Sequence, residues 1–281
     1  MFDRAGFLRR ALRHRSFAFG GLLTAIVVGM ALLSLFWTPY STTAINIRRR
    51  LAPPSAEHWL GTDAFGRDVL SLILAGAQNS LFVAIVSVGI GLLLGSALGL
   101  LASARRGWIE ELVMRMADFT YAFPAILSAI MFAAILGPRT INSIIAIAIF
   151  NIPVFARVVR ASANAIWARD FILAARSAGK GLFRITIEHV LPNILAVIVV
   201  QATIQFALAI LAEAALSYLG LGTQPPTPSW GRMLNDAQTY VFRAPLLSVF
   251  PGLAIAISVL GLNLLGDGLR DLTDPRLARQ R

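Results

Sequence analysis

Few side chains in this chain are suited to chemistry, and their spacing excludes most of it. Cysteine is absent, so thiolate nucleophiles, thiolate metal sites and disulfides are excluded. The three histidines, His14, His58 and His189, stand far apart, without the ligand spacing of a zinc site. Ser177-Ala178-Gly179-Lys180-Gly181 superficially looks like a phosphate loop. However, Ala174 stands where that loop needs its first glycine, and no Ser or Thr follows Lys180. With no nucleophile–base pair and no metal constellation, an enzyme is not expected. Two carboxylates in apolar surroundings stand out instead, Glu213 and Asp267, and ionisable groups in such places are functional candidates by default. Glu213 reads either as lining an outer gate or as pairing with a neighbouring helix. Asp267, flanked by Gly266 and Gly268, reads as a capping or pairing group where the last helix leaves the membrane. Asn142, Asn151, Gln201, Gln205 and Asn263 suit a polar passage, or hydrogen bonds that hold helices together.

The most informative stretch is polar-flanked and lies between two apolar spans. It runs Arg169-Asp170-Phe171-Ile172-Leu173-Ala174-Ala175-Arg176-Ser177-Ala178-Gly179 and continues to Glu188-His189-Val190-Leu191-Pro192-Asn193. Alanines permit close approach, Gly179 permits a bend, and Leu191-Pro192 closes the element. This is a helix–bend–helix knob rather than a tether, and it implies a partner in the cytoplasm. His189 is assigned a packing or hydrogen-bonding role.

The elements that must position these residues are membrane helices. The 281 residues are 57% hydrophobic and only 14% charged, against roughly 25% charged in a soluble domain. Six apolar runs approach the ~20 residues a helix needs to cross a bilayer: 17–36, 81–102, 112–136, 141–159, 194–216 and 246–265. The first follows Arg9, Arg10, Arg13 and Arg15 as a signal peptide would. It lacks a close cleavage site and has full span length, so it is read as a retained helix. With the N-terminus inside, the inner segments hold 18 of the 25 Lys and Arg residues, so the positive-inside rule places both termini in the cytoplasm. The net charge of +11 is therefore topological, and nucleic acid is not an expected partner. Pro124, Pro153 and Pro251 lie inside predicted spans, which suits a bundle around a pathway. Gly91, Gly95 and Gly99 recur every fourth residue and predict close helix packing.

Two outer segments are long. The first, 37–80, contains His58-Trp59-Leu60-Gly61-Thr62-Asp63 and Gly66-Arg67-Asp68-Val69-Leu70. It predicts a turn at Gly61, a cap at Thr62 or Asp63, and an amphipathic interfacial helix. The second, 220–245, packs three prolines and three glycines into residues 220–231, which predicts a rigid gate or lid. Trp230 there is expected to be an interfacial aromatic anchor or part of the gate.

The inner knob resembles the EAA signature of ABC importer permeases, with Ala174, Ala175, Gly179, Leu191 and Pro192 at its positions; Leu173 stands where the signature has its leading acid. The rest of the chain, from about 17 to 277, is similar to the second permease subunit of dipeptide, oligopeptide and nickel importers. The matching strings are the two in the first outer segment, Glu213-Ala214-Ala215-Leu216-Ser217-Tyr218-Leu219-Gly220-Leu221-Gly222, Gly266-Asp267-Gly268-Leu269-Arg270-Asp271-Leu272 and Asp274-Pro275-Arg276-Leu277.

That resemblance implies an all-α integral membrane protein with the type I ABC importer permease fold: six transmembrane helices and cytoplasmic coupling helices, in a bacterial inner membrane. The organisation expected is a cytoplasmic N-terminus (1–16), a first helix (17–36), an outer loop (37–80), a five-helix core (81–269) that includes a coupling segment (169–192), and a cytoplasmic tail (270–281). Ala174, Ala175, Arg176, Gly179, Lys180, His189, Leu191 and Pro192 would couple to the ATPase; Glu213, Asn263 and Trp230 are candidates for the pore or gate. The implied partners are a homologous second permease, two cytoplasmic ATP-binding subunits, an extracytoplasmic solute-binding protein and membrane lipid. No cofactor is expected on this chain, ATP and Mg being held by the partner subunits. Peptide is the expected cargo; nickel chelates, glutathione and oligosaccharides fit the same architecture. A proton-coupled secondary transporter is the rival from another class. It would require repeated membrane-embedded acids and is poorly supported by Glu213 and Asp267, and the chain shows no internal repeat.

Overall fold

The computed structural model describes residue 11 and residues 14–273. The closing string Asp274-Pro275-Arg276-Leu277, the tail beyond it and the arginines before residue 14 lie outside the described residues. The described residues form helices and connecting loops, with one isolated β-bridge between Thr62 and Asp68. The long helices are α1 (Arg15–Phe36), α2 (Val69–Ala104), α5 (Thr140–Trp167), α8 (Leu191–Tyr218) and α10 (Leu246–Thr273). Shorter ones are α3 (Trp108–Tyr121), α4 (Ala125–Leu136), α6 (Asp170–Ser177), α7 (Leu182–Ile185) and α9 (Trp230–Ala237). Five helices are long and apolar enough to cross a bilayer, and the α3–α4 pair, bent by 84°, makes a sixth crossing if it is one broken span.

The glycine stripe sets the central contact. A Cβ on Gly91 would stand 2.3 Å from the Cβ of Asn151, and one on Gly95 would stand 2.4 Å from the Ile152 carbonyl. The helices α2 and α5 therefore meet backbone to backbone, as the four-residue spacing predicts. The first and last helices close the bundle in the same way: Gly20 lies against the Gly261–Leu265 backbone and Gly268 against Phe17. His14 Nε2 and Asp271 Oδ2, 3.4 Å apart, join the same two ends. Both ends of the described chain thus sit on one face. Val27 and Ala31 of α1 join the core, and the opposite side of the helix is exposed apolar surface, including Phe19, Leu22, Ile26 and Leu32.

Three features differ from the sequence expectation. The interfacial helix is not separate: α2 runs unbroken for 36 residues from Val69, because no proline interrupts it and its interior Gly76 is covered by Trp230. Its N-cap is Asp68, whose Oδ2 accepts from the Ser71 backbone N–H (2.8 Å) and hydroxyl (2.7 Å). Asp63 instead holds the preceding turn through the N–H groups of Phe65 and Arg67, and Thr62 bonds to the Ala52 N–H and the Arg49 carbonyl. Of the three prolines, only Pro124 separates two helices, α3 and α4, while Pro153 and Pro251 are absorbed within α5 and α10. Finally, α10 does not end near Asp267. Gly266 and Gly268 are close-packing positions against Thr203 and Phe17, and the helix continues to Thr273 with Asp267 exposed.

Candidate functional site

Between α5 and α8, α6 closes with a hooked cap. Gly179 has φ +79°, its N–H donates to the Arg176 carbonyl (2.9 Å), and the Lys180 N–H reaches the Ala175 carbonyl (3.1 Å). This pair of bonds is the Schellman arrangement, and it turns the chain sharply toward α7. A short π-helical turn, Thr186–Val190, then runs into α8, with Pro192 in the first turn, where its missing N–H is tolerated. Ile172 and Ala175 anchor the knob in an apolar cluster with Trp167, Ile185, Val190 and Ile194, and Leu191 packs at its edge. Leu173 (57% exposed) and Phe183 (82%) stand out from the knob, as does Ala174.

Ala175 lies on the Ile172 face and packs into its own bundle, while Ala174 faces away from it. The basic residues also have partners within the chain. Lys180 Nζ lies 2.7 Å from Glu188 and 3.0 Å from His189 Nε2; Arg184 pairs with Glu188 at 2.6 Å; Arg176 lies over the Trp167 ring.

Within the bundle, the kink at Pro124 opens a cavity of about 570 Å3 between α3–α4, α5 and α8. Phe123, Ile126, Phe150, Val154 and Leu208 are among its walls, together with Asn151 and Gln205. Gln205 Nε2 donates to Asn151 Oδ1 at 2.6 Å, and Asn151 Nδ2 donates to the Ile147 carbonyl at 2.8 Å. Gln201 Nε2 approaches Gln205 Oε1 at 3.4 Å. Of the other amides, Asn142 caps the Leu136 and Gly137 carbonyls at the end of α4, and Asn263 is exposed on α10, away from this cavity.

At the opposite end of α8, Glu213 (1% exposed) is surrounded by hydroxyls rather than by a cation. Its Oε2 accepts from Ser80 Oγ (2.8 Å), and its Oε1 from Ser217 Oγ (2.7 Å) and Thr223 Oγ1 (3.4 Å). Ser217 Oγ also accepts the Thr223 N–H, and Asn79 Nδ2 donates to the Pro228 carbonyl at 2.7 Å. The Pro-rich loop is thereby clasped to α2 and α8. Trp230 is fully buried, and its Nε1 donates to the Ile73 carbonyl at 3.1 Å. Its reading as an interfacial anchor is corrected, because Gly76 leaves a slot on α2 that the indole fills. The i, i+4 spacing of Glu213 and Ser217 was a usable signal for this clasp; Ser80, 133 residues away, gave none.

An ion-pair cluster lies beside the loop. Arg67 pairs with Asp63 (2.7 Å) and approaches Asp236 (3.8 Å), which also meets Arg232 (2.9 Å). Burial pushes the Asp236 carboxyl above the ordinary aspartate range, against the pull of Arg232 and Arg67. His58 Nδ1 lies 2.9 Å from Asp68 Oδ1 and ties the first outer segment to the start of α2, a pairing that sequence reading missed. Among the described residues, no group of three His, Asp or Glu is placed to hold a metal.

Residues 87–279 match the family described as "Binding-protein-dependent transport system inner membrane component". The chain is 45% identical over 271 residues to the "Dipeptide transport system permease protein DppC" of Alkalihalophilus pseudofirmus, covering 95% of this chain and 88% of that one. It is 44% identical to the "Di/tripeptide transport system permease protein DppC" of Pseudomonas aeruginosa, covering 95% and 91%. It is 42% identical to the "Glutathione transport system permease protein GsiD" of Pectobacterium atrosepticum, covering 96% and 90%. In fold it is similar to a chain of the MetNI methionine ABC transporter in its inward-facing conformation, with TM-score 0.60 and 20% identity over 72% of this chain and 97% of that one. A bundle of membrane-crossing helices with an anchored knob between α5 and α8, matched over most of its length, makes this chain a multi-pass inner-membrane permease of the binding-protein-dependent ABC importer family.

Proposed function

We propose that the chain forms half of the translocation passage of an ATP-driven importer of di- and oligopeptides, beside a homologous second permease, two cytoplasmic ATPases and an external solute-binding protein. The observation that carries this reading is the inner knob. Ile172 and Ala175 fix it rigidly to the cytoplasmic ends of α5 and α8, while Leu173, Ala174 and Phe183 face outward. A rigid, partly apolar projection suits a groove on an ATPase, and movement there is transmitted to packed helices instead of being absorbed in a loose loop. ATP and Mg are held by the partner subunits, and this chain contributes no catalytic group. Both termini face the cytoplasm, a placement supported by the arginine bias and by the pairing of the α1 and α10 ends on one face.

Peptide is favoured as cargo by the names of the dipeptide and di/tripeptide relatives. Glutathione, itself a tripeptide, is the second reading, on the strength of the glutathione permease relative. The test is ATP-dependent uptake of a labelled tripeptide into proteoliposomes holding the whole complex, with unlabelled dipeptide, glutathione, nickel chelate or oligosaccharide as competitor. Competition by peptides and not by the last two is the expected result. Uptake blocked by nickel chelate or oligosaccharide alone would remove the peptide assignment.

A further inference from the structure

We propose that the Asn151–Gln205 amide pair is a station that reads the peptide bond of cargo in transit, an inference that rests on the importer function proposed above. The cavity around the pair, about 570 Å3, lies within the ~300–1,000 Å3 range of small-molecule sites. None of its lining residues is Asp, Glu, Lys, Arg or His, and beside Tyr121 the two amides are its polar side chains. Both amides are nearly buried, Asn151 at 5% and Gln205 at 8% exposed.

The geometry leaves the pair half used. Gln205 spends one N–H on Asn151 Oδ1, and Asn151 spends one on the Ile147 carbonyl. Each amide nitrogen carries a second hydrogen, and Gln205 Oε1 receives only the long 3.4 Å approach of Gln201. Donor and acceptor capacity therefore lie side by side in apolar surroundings, which complements the C=O and N–H of a peptide unit. A hydrocarbon occupant, whether an acyl chain or an apolar helix, would leave this capacity unmet at a cost. Gly91 on α2 holds Asn151 from behind, so the amide has little room to move. Apolar walls with a single backbone reader accept many side chains while checking for an amide. This fits a permease that leaves side-chain choice to its binding protein.

The test uses the full importer with its binding protein in proteoliposomes. The probes are a labelled alanine dipeptide and its ester analogue, in which oxygen replaces the peptide N–H. The ratio of their uptake is compared between wild type and the variants Asn151→Leu and Gln205→Leu, normalised to permease in the membrane. The binding protein's own discrimination cancels in that comparison. Gln205→Leu removes Oε1, the acceptor left for the peptide N–H, and loss of that one net hydrogen bond lowers the peptide-to-ester ratio about fivefold. Asn151→Leu removes a donor to the C=O that both probes carry and lowers both uptakes together, and the exchanged double variant Asn151→Gln/Gln205→Asn restores the ratio. An unchanged ratio in Gln205→Leu, or an equal loss of both probes in that variant, would overturn the station and leave helix-to-helix glue. A photoreactive residue at Val154 is expected to capture peptide during turnover, and capture of lipid or of the partner permease alone would also overturn it. No peptide uptake by the wild-type complex would instead strike at the proposed cargo, before any variant is compared.

Discussion

The hook after α6 gives a graded prediction at Gly179. Its φ of +79° lies in the left-handed region, and a Cβ added there meets nothing within 4 Å. Alanine at this position therefore pays conformational strain alone, about 1–2 kcal/mol, which lowers the population of the hooked form roughly 5- to 30-fold. Asparagine tolerates this region better and should lose less. Proline cannot reach positive φ and also deletes the N–H that donates to the Arg176 carbonyl. That penalty is about 3 kcal/mol or more, so the hook falls more than about a hundredfold. The expected order for peptide uptake and for substrate-stimulated ATP hydrolysis in the whole complex is Gly, Asn, Ala, then Pro. Permease in the membrane, measured by immunoblot, should stay constant, because the change is local to the inner loop. Wild-type uptake by Gly179→Pro would refute the hook as the coupling element. Alanine as damaging as proline would refute the conformational argument and show that a partner surface fills the open space.

Other outcomes follow from contacts elsewhere in the bundle. Gly95→Leu drives a side chain into the Ile152 carbonyl and Phe155, so the detergent-solubilised melting temperature should drop sharply, whereas Gly89→Leu, with open space around it, should be nearly silent. Glu213→Ala leaves the Ser80 and Ser217 hydroxyls without their acceptor and should cost about 1–3 kcal/mol. Glu213→Gln should recover part of this, and proteolysis of the Pro-rich loop would report it. Trp230→Phe loses the bond to the Ile73 carbonyl at about 1 kcal/mol, and a larger loss for Trp230→Ala in thermal melts would confirm that the indole is core. For Asp236, the raised carboxyl means that the folded chain takes up the proton more readily than the unfolded one. Its contribution to stability therefore grows as pH falls through the folded value and levels off below the ordinary aspartate range. The wild-type melting temperature should accordingly rise relative to Asp236→Asn between pH 7 and 4, and the opposite slope would contradict the burial argument.

The crossing helices and the inner knob were legible because local patterns encode them: apolar runs of span length, arginines that fall between them, and the alanine pair placed before Gly179. The inward face of the knob was legible in principle too, since Ile172 and Ala175 are three residues apart on one helical face. What could not be read locally depends on partners distant in sequence. The Ser80 hydroxyl on Glu213, the slot that Gly76 leaves for Trp230 and the Asn151–Gln205 bond all join different helices. Nor does proline alone announce a break: Pro153 stays within α5, while Pro124 separates α3 from α4. The start of α2 was misplaced because Asp63 and Asp68 both suit a cap, and only the fold assigns one to the turn and the other to the helix.

The unbroken α2 has a mechanical consequence. Its 36 residues span about 54 Å at 1.5 Å per residue, against a hydrocarbon core of about 30 Å. At its start, Asp68, Ser71 and Ile73 hold the preceding segment and Trp230. A rod of that length acts as a lever: a tilt of about 10° sweeps one tip about 9 Å relative to the other. The far end of α2 packs beside α5, whose last turns bear on the inner knob through Val159, Ala163 and Trp167. A small rotation at the knob end would therefore reach the start of α2 as a displacement of several ångströms, with no hinge required along the rod.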